Sequence, residues 1–177
     1  MLNKLKDKAG SIGAGLYAAV LSLVVLAASG AVGLALHQPW LFPSLGPTVM
    51  LFFESPRQKA SRPLNALIGH GVGLLAGAAV LYGLGLQDDP SVASGGLTPA
   101  FLLAGAVSVA LTTLVLTAIK TPHPPAGATT LIVSLGILTQ PEELASMAGA
   151  IVLITALGWG LNLALGTRPN DGKQSPQ

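Results

Sequence analysis

Four stretches without a formal charge, residues 12–36, 64–86, 97–119 and 144–165, limit this chain more than any other feature in it. Each is long enough to cross a hydrocarbon core of about 30 Å as a helix of roughly 20 residues. Without water to satisfy the backbone, a helix is the one structure that a single segment can adopt there. Composition agrees: of 177 residues 51% are hydrophobic and 9% charged, against about 25% charged in a soluble domain. The expected fold is all-α, a polytopic transmembrane bundle of four long helices plus two short broken ones.

The first run follows Lys4, Lys6 and Lys8. It is longer than the apolar core of a cleavable signal, roughly 7–15 residues, and reads as a transmembrane helix. Residues 27–31, small and weakly polar, keep cleavage open as the alternative. The two broken segments lie between the long runs. Residues 37–53 are apolar but carry Pro39, Pro43 and Pro47. Residues 120–130 carry Pro122, Pro124 and Pro125 around His123 and lead into a helical part at 129–138. Proline lacks the N–H that a continuing helix needs and clashes with the preceding turn, so both segments must cross, if they cross, as part extended chain and part helix.

Charge decides between two topologies. If the broken segments are re-entrant, the basic loop with Arg57, Lys59 and Arg62 falls opposite the N-terminus. If both cross, all nine Lys and Arg lie on the N-terminal side, and the other side holds only Asp88, Asp89, Glu142 and Glu143. The positive-inside rule prefers the second, with both termini cytoplasmic in a bacterial-type inner membrane. The order long, broken, long then occurs twice, at 12–86 and 97–166, and three crossings per unit invert the second copy. Pro43-Ser-Leu-Gly-Pro-Thr48 aligns with Pro124-Pro-Ala-Gly-Ala-Thr129 at an offset of 81, matching Pro, Gly and Thr. Residues 1–11 are expected to be a cytoplasmic segment and 167–177 a disordered cytoplasmic tail.

In carriers built this way, broken helices place half-helix N-termini near the midplane, where unpaired N–H groups and the dipole favour an anion. Gly46 and Thr48 would begin one such half-helix, Gly127 and Thr129 the other. The plainer reading is that Pro and Gly permit close packing while each Thr bonds its own backbone. His123 sits among the prolines, and His70 falls about 9 Å into its helix. Either imidazole can relay a proton or, protonated, attract an anion; the alternative is a histidine that ties loops or helices together. Asn65 and Arg62 stand at the mouth of the same helix, and Arg62 and Lys120 equally suit snorkelling topology charges. Gly69, Gly73 and Gly77 make a small-residue face that admits a neighbouring helix or a second copy of the chain.

Other chemistries find little support. There is no Cys, His37 falls at the opposite end from His70 and His123, and no acidic residue lies within a span. A metal site, a cofactor and a carboxylate-based cation pump are not expected. No nucleophile–base, phosphate-loop or zinc-protease spacing appears, so an enzyme is not expected, and the basic residues read as topology signals rather than a nucleic-acid surface.

His123-Pro-Pro-Ala-Gly-Ala-Thr129, Leu45-Gly46 with Thr48-Val-Met-Leu-Phe52, and Arg62-Pro-Leu-Asn-Ala-Leu-Ile-Gly-His70 stand in an order that resembles the HPP family of integral membrane proteins. The family often has Arg where this chain has Leu64. The resemblance implies four transmembrane helices and, because plant and cyanobacterial relatives are linked to nitrite transport, a transporter or channel for a small inorganic anion. Its partners would be the lipid bilayer and that anion, with a homo-oligomer through glycine-rich faces a further expectation. The alternative is a non-transporting membrane scaffold or sensor module. Single cysteines introduced beside Lys59 and beside Asp88 are expected to label from opposite sides of the membrane; labelling from one side would restore the re-entrant topology.

Overall fold

A computed structural model describes residues 2–169, with side chains from Gly10 onward. The expected tail at 167–177 therefore lies largely outside the described residues. Helix α1 (Leu2–Leu36) is broken at Gly10, whose φ of 57° lies in the left-handed region; the apolar span proper is Gly10–Leu36. There follow α2 (Leu45–Glu54), a 3-10 turn at Lys59–Ser61, α3 (Pro63–Gly83), α4 (Val92–Gly95), α5 (Pro99–Ala118), α6 (Ala126–Ser134) and α7 (Pro141–Ala164). No strand occurs among the described residues, and four helices are long and apolar enough to span a membrane.

The helix ends follow local chemistry. Pro63, Pro99 and Pro141 each open a helix, where the missing N–H costs nothing and the fixed φ suits the first turn. Thr98 accepts a hydrogen bond from the Phe101 N–H. Glu143 reaches back to accept from the N–H groups of Thr139 and Gln140 at 2.8 and 3.1 Å, half of a capping box. α1 and α5 end alike: His37 and Lys120 take left-handed φ values of 54° and 57°. The Gln38 N–H then bonds the Gly33 carbonyl, as Thr121 N–H bonds that of Leu116, at 2.9 and 3.0 Å. This is the Schellman closure, and a proline follows two residues after each left-handed residue.

Both broken segments run the length of the bundle. The segment containing α6 follows α3 throughout. Asn65 Nδ2 donates to the Pro122 carbonyl, Gly69 packs on His123, Gly73 on Ala126 and Thr130, and Gly77 on Thr130 and Val133. At the far end the Tyr82 hydroxyl donates to the Thr139 carbonyl. The segment containing α2 follows α7 in the same manner. Ser146 Oγ donates to Gln38 Oε1 at 3.1 Å, Gly149 packs on Trp40 and Gly158 on Phe52, and Asn162 Nδ2 donates to the Phe52 carbonyl at 2.8 Å. A re-entrant segment would return to the end it left; neither does.

The packing partners exchange when the halves are exchanged. α1 lies on α2 and α5 on α6; α6 lies on α3 and α2 on α7; α5 packs on α3 and α1 on α7; α3 meets α7 at the centre. That is the contact pattern of an inverted repeat. Phe52, Phe53, Val49, Met147 and Ile154 fill one buried cluster, and Leu81, Phe101, Ala104 and Val133 the other. Leu16, Leu23, Leu34, Leu75 and Leu114 face outward, as a lipid-contacting surface requires.

Three features depart from the sequence reading. The helical part of the second broken segment starts at Ala126, not 129, because Pro125 itself takes helical dihedrals and seeds the turn. The α3 helix stops at Gly83, since Gly85 turns left-handed. The exit loop holds the short α4, anchored by the Val92 N–H on the Leu135 carbonyl at 3.1 Å.

The α3 glycine face is where this packing is tightest. A Cβ on Gly73 would sit 2.7 Å from the Ala126 carbonyl oxygen, and one on Gly77 2.8 Å from that of Thr130. Gly73→Ala and Gly77→Ala are therefore expected to destabilise the detergent-purified protein by about 1–3 kcal/mol, read as a lower unfolding temperature. Gly71→Ala, whose Cβ meets nothing within 4 Å, should leave it unchanged or slightly raised.

Candidate functional site

The prolines at 122, 124 and 125 hold residues 121–123 out of helical hydrogen bonding, and the chain re-enters a helix only at Ala126. Thr129 is thereby the fourth residue of α6, as Thr48 is of α2. Both threonines are fully buried, and both bond one ring. Thr48 Oγ1 lies 2.8 Å from His70 Nε2, and Thr129 Oγ1 lies 2.7 Å from His70 Nδ1. His123 closes the group, with its Nε2 3.2 Å from His70 Nε2 and 3.3 Å from Thr48 Oγ1. The two imidazoles meet edge to face, their centroids 4.8 Å apart.

Fixed acceptors assign the protons. His123 Nδ1 lies 2.8 Å from the Ala60 carbonyl, which can only accept, so neutral His123 carries its proton on Nδ1 and presents a lone pair at Nε2. A second lone pair on His70 Nε2 would face it across 3.2 Å. His70 therefore carries its proton on Nε2, donating to Thr48 Oγ1 with His123 Nε2 as second acceptor. His70 Nδ1 then accepts from the Thr129 hydroxyl. The Thr48 hydroxyl donates to the Ser44 carbonyl at 3.0 Å. All four side chains are satisfied with both histidines neutral.

Of the residues singled out from sequence, Thr48, His70, His123 and Thr129 come together. Gly46 and Gly127 flank them, and a Cβ on either would meet nothing within 4 Å, so close packing does not explain glycine there. Gly127 and His123 instead line a half-open groove of about 560 Å3, together with the exposed Thr113, Thr117, Lys120 and Pro124. Asn65 stands apart: its Nδ2 donates to the Lys59 and Pro122 carbonyls at 3.0 and 3.3 Å and staples the basic loop to the broken segment.

One expectation needs correcting. The N–H groups opening α6 are not bare: those of Ala126, Gly127 and Ala128 donate to the carbonyls of His123, Pro124 and Pro125 at 3.0–3.1 Å. Turn-type bonds to the proline-rich linker use them. What the half-helix offers at its start is its dipole and the Thr129 hydroxyl. Three participants escaped sequence reading. The Ala60 carbonyl carries no residue signal. Ser44, buried at the start of α2, has a hydroxyl without a hydrogen-bond partner among the described residues. Thr112 bonds Thr130 at 2.9 Å behind the site, and only the Thr-Thr pairs at 112–113 and 129–130 hinted at it.

No acidic side chain accompanies the group, and no set of three metal-ligating residues occurs among the described residues. Two helix N-termini with no carboxylate between them disfavour a cation. Fold and site together define an integral membrane protein with a polar, mid-bundle side-chain cluster. The chain belongs to the family described as HPP, transmembrane region, which it matches over residues 7–169. Neither a curated protein nor a solved structure gave a match.

Removing the Thr129 hydroxyl leaves His70 Nδ1 without a donor, whereas removing that of Thr48 leaves His70 Nε2–H still facing His123. Thr129→Val is therefore expected to lower stability by about 1–3 kcal/mol, and Thr48→Val by less, in denaturant or thermal unfolding of the detergent-purified chain.

Proposed function

We propose that this protein carries a small inorganic anion of the nitrite class across a bacterial-type inner membrane, with both termini cytoplasmic, and catalyses no chemical conversion. The observation that carries this reading is the convergence of two half-helices, entering from opposite ends of the bundle, on one histidine through Thr48 and Thr129. The positive ends of two helix dipoles face each other there, and no acidic side chain competes for them. Hydroxyls and imidazole N–H groups are suitable donors for a small anion. The groove that His123 and Gly127 line supplies an approach.

The four side chains hydrogen-bond one another and fill the meeting point, so the group must rearrange for an anion to occupy it. That favours a gated carrier over a standing pore. The scaffold alternative relied on glycine faces for partner helices, but the α3 face is occupied by α6. A homo-oligomer would have to use exterior glycines such as Gly15 and Gly160, which meet nothing within 4 Å.

The test is flux into proteoliposomes holding the purified chain, with nitrite, nitrate, formate and bicarbonate offered in turn. Nitrite or a close relative should move. His123→Ala and Gly127→Leu, the latter projecting into the groove without a clash, should each cut the rate by about tenfold or more, the equivalent of roughly 1.4 kcal/mol. Flux indifferent to both would sink the site assignment.

A further inference from the structure

The hydrogen bonds at His70 have a direction, and that direction leaves a place for one proton. We infer that the site binds a proton together with its anion, on Nδ1 of His70, and that Thr129 is the positioning residue whose hydroxyl reverses when it does. This rests on the anion reading above and names its co-substrate.

In the neutral arrangement Thr129 donates and His70 Nδ1 accepts across 2.7 Å. A proton arriving at Nδ1 turns the ring nitrogen into a donor, and Thr129 must then accept. Its own hydroxyl proton then needs another acceptor. The Pro125 carbonyl, four residues back, already takes the N–H of Ala128 at 3.1 Å and that of Thr129 at 3.5 Å, so the bound anion is the acceptor. After the reversal both threonines accept from His70, and the Thr129 hydroxyl donates to the anion.

The resulting imidazolium lies between two helix N-termini, which repel it. No protein countercharge is at hand. α5 and α6 hold no ionisable side chain, α2 has only Glu54 at its distal end, α7 has Glu142 and Glu143 at its start, and α3 has no other ionisable group in its first four turns. The 3-10 turn brings Lys59, and the flanking loops Arg57, Arg62 and Lys120, all positive. The one available negative charge is the transported anion. The balance is neutral His70 plus H+ plus anion, giving an imidazolium–anion pair of zero net charge, and release of both restores the neutral ring. His123, which lines the groove, still accepts from His70 Nε2–H at 3.2 Å, so the charged ring keeps its partner on that side.

Linkage makes this measurable, because an anion that binds only with a proton must take one up from solution. Sodium nitrite added to the purified full chain in weak buffer near pH 7.5 should draw in about one proton per anion bound, followed with a pH dye beside calorimetry. Affinity should rise about tenfold per unit fall in pH above the His70 titration, and the 15N signal of His70 Nδ1 should move from unprotonated to protonated as nitrite is added. Thr129→Val should move this dependence to lower pH, since the hydroxyl helps the charged ring more than the neutral one, and Thr129→Ser should restore it. Nitrite bound without proton uptake and with Nδ1 unprotonated would overturn the inference and leave the anion reading standing. A folded protein that binds none of nitrite, nitrate, formate or bicarbonate would overturn both.

Discussion

His70 is the residue on which the two half-helices of this bundle converge at its centre. Its ring is held on one nitrogen by α2 and on the other by α6, two helices that begin in mid-bundle and run in opposite directions. The ring has little freedom of orientation because the Ala60 carbonyl sets His123, His123 sets the tautomer of His70, and His70 sets what each threonine must do. A buried polar network of this kind specifies one arrangement only while every member is satisfied. Here each ring nitrogen has its partner.

The network depends on close backbone approach, which the glycines of α3 provide. In a bilayer, apolar side chains gain little by leaving lipid for protein, so contact between helices rests on packing and hydrogen bonds. Gly73 and Gly77 bring α6, and Gly69 brings His123 of the preceding linker, so near that an added Cβ would overlap them. His123 sits directly on Gly69, within reach of His70 one residue further along. Packing and function therefore meet on one helix: the face that seats α6 also seats the histidine pair.

Much of this was legible in the residues. The four spans followed from uncharged length, the breaks from proline, and the crossing of both broken segments from where the basic residues fall. The pairing of Thr48 with Thr129 was visible as an offset of 81, although the left-handed caps at His37 and Lys120 lie two residues out of that register. The first linker carries two extra residues, and Trp40 packs on Gly149 there as His123 packs on Gly69 in the second half. What the residues could not reveal was carried by backbone. The carbonyl of Ala60 orients His123 whatever side chain stands there. The first N–H groups of α6 are satisfied by carbonyls of His123, Pro124 and Pro125, the very segment that was expected to leave them bare. Asn65 looked like a ligand from its place at a helix mouth, yet a loop carbonyl and a linker carbonyl claim its amide.

On the proposed function, an anion sits where the two half-helices meet, between Thr48 and Thr129. Crystals of the full chain grown with bromide in place of chloride, measured at the bromine absorption edge, test it most directly. An anomalous peak is expected within contact distance of both threonine hydroxyls and of His70. Bromide found only at the basic loop or the bundle exterior, with the Thr48, His70 and Thr129 contacts unchanged, would contradict it.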